Sequence, residues 1–188
     1  GFYTLADGTP DKFTLNCSTD EHTISKDILE MMNTIASGKQ KASLQSDELL
    51  TIEVALDADY YYYGRFSNDS VKAASYLLTL FAASSAIFVH DVNAQFAITY
   101  VRIWKNITPY GATVYDVAKY WRQNMKSVQY DAVHFLSGSS SAGGGVAARI
   151  GGICSDSGSF ARSSLNLDFK SATVYSYDLF VVSHEFGH

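Results

Sequence analysis

Residues 176–188 read Ser176-Tyr177-Asp178-Leu179-Phe180-Val181-Val182-Ser183-His184-Glu185-Phe186-Gly187-His188, and the rest of the chain is best read outward from them. His184 and His188 are four apart, so on a helix they stand one above the other on a single face. Neutral imidazole is a good zinc ligand, and two at this spacing can bite one ion without straining the backbone. Glu185 comes next along the helix, where a carboxylate can take a proton from zinc-activated water. The run Tyr177 to Val182 is apolar enough to bury a helix, Ser176 is a suitable N-cap, and Asp178 in the first turn favours the helix dipole. A buried helix carrying His, Glu and His needs partners for those polar groups, and a metal supplies one. Two histidines on a merely solvated face fit this apolar context less well.

Upstream, the pattern alternates between strands and helices. Ile52, Val54 and Leu56 alternate with Glu53 and Ala55 as in a strand, and Asp57-Ala58-Asp59 reads as its acidic, solvated end. Ser67 or Asn68 is placed to cap a long core helix with the stripe Val71, Ala74, Leu78, Phe81 and Phe88, ended by Asp91-Val92-Asn93. Phe96, Ile98 and Tyr100 mark a second strand that runs to Trp104. Thr113 and Asp116 form a capping box that opens a second helix with the stripe Val114, Val117, Ala118, Trp121, Met125 and Val128. A third strand spans 130–137. His134 within it, and His90 at a helix end, read as structural histidines rather than ligands. Strand, helix, strand, helix, strand at these lengths predicts an α/β fold with a largely parallel sheet.

After a Ser/Gly loop, Gly145 to Cys154 carries glycines at both ends with small apolar residues between. That composition suits a strand which another backbone approaches closely. A further short strand is expected at Leu165-Asn166-Leu167-Asp168-Phe169, ahead of the final helix. Residues 1–47 are mixed and polar, with a helix expected from Ser25 through Ser37.

Composition narrows the classes. The 188 residues are 47% hydrophobic and 18% charged, which fits a globular chain with a substantial core. A net charge of −5 without a basic cluster argues against nucleic acid as a partner. The longest apolar run, Ala73 to Val89, is interrupted by Ser and Thr and reads as a core helix, so no membrane span is expected. Abundant Tyr, Ser and Gly with little Lys lean toward a secreted, extracellular protein. Cys17 and Cys154 can pair with each other, stay free, or bond elsewhere. Oligomeric state is not legible.

The run His184-Glu185-Phe186-Gly187-His188 resembles the start of the metzincin signature His-Glu-x-x-His-x-x-Gly-x-x-His, which a methionine turn follows in that family. With the element order over about residues 50–188, the chain is similar to a reprolysin- or adamalysin-like zinc metalloendopeptidase catalytic domain. The resemblance implies a zincin-like upper domain: a mixed, mostly parallel twisted sheet with an antiparallel edge strand, long helices, and the active-site helix at the C-terminus. It implies one catalytic Zn²⁺ on His184 and His188, with Glu185 as general base. It also implies that Val146, Ala147, Ala148, Arg149 and Ile150 form the edge strand to which a protein or peptide substrate adds in extended conformation. Residues 1–47 would be an N-terminal extension or propeptide remnant and 48–188 the catalytic domain. The third ligand is expected six residues past His188, so the chain as it stands is expected to be cut inside its active-site helix and inactive, with His188 frayed. Three alternatives stay open: a gluzincin-type zinc hydrolase, a zinc hydrolase of small molecules, and a non-enzymatic secreted adhesion or binding module.

Overall fold

The computed structural model describes residues 48–139 and 143–188. Residues 1–47, with the expected helix and Cys17, lie outside the described residues. Five strands form one sheet: β1 (Leu50–Ala58), β2 (Ala94–Ile103), β3 (Ala132–Ser137), β4 (Gly145–Ala147) and β5 (Phe160–Ser164). Among the described residues four helices accompany them: α1 (Tyr60–Gly64), α2 (Ser70–Val92), α3 (Val114–Asn124) and α4 (Tyr177–Phe186). The strand order is β2-β1-β3-β5-β4. Every pairing is parallel except β4 on β5, which is antiparallel and forms one edge.

A parallel sheet is covered on both faces, and its strands are therefore apolar along their length rather than alternating. β1 shows this directly, since Val54 through Ala58 are all buried. Val54, Leu56 and Ala58 join a core with Ala73, Phe81 and Val181, from α2 and α4. Ala55 faces the other way, into a second core with Val117 and Trp121 of α3 and Phe160 of β5. Helices on both faces thus sandwich the sheet.

Several expectations are corrected. Asp69, not Ser67 or Asn68, caps α2: its carboxylate accepts from the N–H groups of Val71 and Lys72 at 3.0 and 3.1 Å. Ser67 and Asn68 instead make the turn before it, both at positive φ. The buried face of α2 is Ala73, Leu77, Leu80, Phe81 and Ser84, while Val71 is 75% exposed and Leu78 45% exposed. α2 is apolar almost all round, so periodicity alone does not fix its inward face. By length and composition it is also the one helix among the described residues that could cross a membrane. Here it packs against the sheet and α4.

Asp57 and Asp59 are buried, not solvated. Asp57 accepts from Trp104 Nε1 at 2.7 Å, Tyr110 OH at 2.7 Å and Trp121 Nε1 at 2.6 Å. Burial holds its carboxyl above the usual range, and these three donors partly oppose that rise. Asp59 caps α1 through the Tyr62 N–H and accepts from Ser137 Oγ at 2.6 Å. The expected strand at 165–169 lies one element too late. The strand is β5, with Ser163 bonded to His134 Nε2 at 2.8 Å, and Leu167 sits at positive φ in the loop that follows. Thr113 caps α3 as the capping box requires, its Oγ1 accepting the Asp116 N–H at 3.1 Å.

Candidate metal centre

The first turn of α4 is fixed by two carboxylates. Ser176 Oγ accepts the Leu179 N–H at 3.2 Å and donates to Asp168 at 2.8 Å. Asp168 also takes the N–H groups of Tyr177 and Asp178, at 2.8 and 3.1 Å, which places its charge at the positive end of the helix. Asp178 is fully buried and accepts from Tyr76 OH at 2.5 Å and from the N–H groups of Asn166 and Leu167 at 2.6 and 2.9 Å. It thereby ties α4 to α2 and to the loop after β5. Leu179, Val181, Val182 and Phe186 enter the core, which aims the polar face of the last turn away from it.

That face carries the histidines. His184 is half-buried, and α4 ends at Phe186 with Gly187 as C-cap. His188 therefore lies just past the helix. Its carbonyl accepts from the Gly151 N–H, and its imidazole Nε2 lies 3.2 Å from His184 Nε2. Burial holds the His184 pKa below its ordinary value, with the neighbouring His188 adding to the shift.

Glu185 lies beneath β4, beside the two imidazoles, and is 2% exposed. Burial pushes its pKa up to about 7; the Ala147 N–H is near enough to offset that rise in part. Neither carboxylate oxygen accepts a hydrogen bond of ordinary geometry. His188 Nε2 is 3.9 Å from Oε2. His184, Glu185 and His188 thus offer three ligand-type atoms within 4.8 Å of one another.

These residues fit a zinc ion. A tetrahedron with arms of about 2.0–2.1 Å has edges of about 3.3 Å, which matches the separation of the two imidazole nitrogens. A buried carboxylate beside them, whose oxygens accept no hydrogen bond of ordinary geometry, is a group that a cation or a proton would satisfy.

The expected edge strand is present but shorter. β4 pairs Val146 with Arg162 and Ala147 with Ala161, and the Ala148 N–H still bonds to the Phe160 carbonyl at 2.8 Å. Arg149 and Ile150 leave strand geometry in a bend and turn that leads to Gly151 at φ 66°. No strand among the described residues pairs with the outer side of β4. An open pocket beside it is lined by Ala147, Arg149, Ser159, Glu185, Phe186 and His188. His134 is buried on Ser163 and between the rings of Phe81 and Phe186, and His90 is exposed beside Asp91, so neither joins the centre.

Two contributors carry little sequence signal. Gly151 holds His188 through its backbone. Gly145 faces the Glu185 side chain, whereas at the other end of the stretch the close approach is by backbone, the Gly158 carbonyl lying against Gly152.

No curated protein matches the chain. Among solved structures, a chain in the structure of a chaperone–substrate complex shares the fold, with a TM-score of 0.51 at 15% identity over 73% of this chain. This chain spans only 23% of the length of that one. The sequence model of metallo-peptidase family M12, of reprolysin type, matches residues 49–188, a span that takes in the whole sheet and every residue of the candidate centre. The chain belongs to metallo-peptidase family M12, as a reprolysin-like metzincin catalytic domain.

Proposed function

We propose that this domain is the catalytic part of a secreted zinc-dependent metalloendopeptidase that cleaves peptide bonds in proteins. One observation carries the reading: two imidazole nitrogens 3.2 Å apart, beside a buried carboxylate whose oxygens accept no hydrogen bond of ordinary geometry. His184 and His188 would hold the ion, with a third ligand at the position six residues after His188 that the metzincin pattern assigns. Zinc, when bound, supplies a Lewis acid that polarises the scissile carbonyl and acidifies water.

The chain's own residues do the remainder. Glu185, buried beside both imidazoles, takes a proton from the attacking water and returns it to the leaving amine. The substrate lies extended along the outer side of β4, where no described strand pairs. Val146 to Ala148 supply the regular part of that edge, while Arg149 and Ile150 flank its turn. The leader 1–47 is proposed as an extension outside the catalytic domain.

The test uses a chain that includes the third-ligand position. Zinc is measured by elemental analysis, and Glu185→Ala is assayed on an unfolded protein substrate. One zinc per chain, with cleavage abolished but metal retained in the variant, is the expected result. Absence of zinc, or cleavage that survives the substitution, refutes the proposal and favours a binding module.

A further inference from the structure

Gly145 opens β4, and its backbone lies outside the left-handed region that Gly144 (φ 87°) and Gly151 (φ 66°) occupy. Nothing in its conformation calls for glycine. Space does. A Cβ at Gly145 would stand 2.4 Å from Glu185 Cγ, 2.5 Å from Oε1 and 2.6 Å from Cδ. Gly143, two residues earlier, has nothing within 4 Å of such an atom.

Glu185 has little room to yield, being 2% exposed beneath the strand. No hydrogen bond of ordinary geometry fixes its carboxylate either. With only the Ala147 N–H and the His188 imidazole as polar neighbours, the carboxylate is placed largely by the shape around it. The gap over Gly145 is the part of that shape into which the carboxylate end fits.

We infer that Gly145 is a positioning residue: by lacking a side chain, it sets where the Glu185 carboxylate sits relative to His188. The inference rests on the reading of Glu185 as general base. It also gives β4 a second duty. The strand that offers its outer edge to a peptide carries, in its first residue, the space that locates the base.

The test is a thermal-melting cycle on this chain without metal, with Gly145→Ala made in the native and the Glu185→Ala backgrounds. Forcing an atom into a filled site should lower the Tm by about 5 °C in the native background. Once the Glu185 side chain is removed, the same change should cost no more than about 1 °C. In the zinc-loaded enzyme, Gly145→Ala should lower kcat on the order of a hundredfold, with KM and zinc content unchanged, because the base alone is displaced. Gly143→Ala should change none of these.

An equal Tm loss in both backgrounds, or an unaltered kcat, overturns the inference. If Gly145→Ala alone does not fold, folding of the Gly145→Ala/Glu185→Ala protein supports it, and failure of that protein to fold overturns it. Should Glu185→Ala cleave at the native rate, the general-base reading fails. The melting cycle, which needs no catalysis, separates that failure from the loss of steric coupling.

Discussion

Replacing His134 by Gln should remove much of the acid sensitivity of this fold. His134 is fully buried on β3, with Nε2 2.8 Å from Ser163 Oγ and its ring between Phe81 and Phe186. Burial disfavours the imidazolium and pushes its pKa from 6.5 down to about 3. The unfolded chain therefore binds a proton below pH 6.5 that the folded chain refuses until about pH 3. Stability from this group is complete above pH 6.5, and it is lost at about 1.4 kcal/mol per pH unit as the pH falls. At pH 4.5 the loss comes to about 2.7 kcal/mol. Gln keeps a partner for Ser163 and does not titrate. It gives up the ring contacts at every pH, so the variant should start less stable at neutrality and converge on the native protein in acid. Urea melts followed by circular dichroism at pH 7.5, 6.5, 5.5 and 4.5, with chelator present, measure the difference. A gap between the two proteins that stays constant within about 0.5 kcal/mol over that range would refute the argument.

Asp57→Asn should destabilise the chain by about 3 kcal/mol, because the amide turns donor hydrogens toward at least one of the three donors now facing the carboxylate. Urea melting at pH 7 reads this directly. Zinc should raise the Tm of a chain containing the third-ligand position, by an amount corresponding to about 2.7 kcal/mol when free metal is a hundred times Kd. His184→Ala should abolish that increment while leaving the metal-free Tm nearly unchanged, since His184 is only half-buried. A zinc-induced rise that persists in the variant would place the ion elsewhere.

What the sequence made legible was local. Ser176 and Thr113 cap the helices they precede because a cap needs only its own next three residues. The His-Glu-x-x-His spacing brings its groups together for the same reason. Apart from the cap of α2, where Asp69 displaces its neighbours Ser67 and Asn68 locally, the misreadings are cases in which a distant segment decides. Asp57 looked like a wet strand end because its partners come from Trp104, Tyr110 and Trp121, brought in by β2, the following loop and α3. β5 was hidden because Arg162, Ser163 and Ser164 do not look like a buried strand until β3 and β4 are laid against it. The inward face of α2 depends on where the sheet and α4 lie. Gly145 reads as an ordinary strand end until Glu185, forty residues later, fills the space above it.

The chain holds two tryptophans, Trp104 and Trp121, and both donate to the single carboxylate of Asp57. Its indole emission is therefore a local gauge of one buried point at the end of β1. That point belongs to the aromatic layer against α3, on the far side of the sheet from α4. Unfolding will light up or quench both indoles together. Events confined to the histidine face will leave them dark, so a metal titration followed by intrinsic fluorescence should be silent even where binding is tight, and a reporter placed on α4 is the one that would see it.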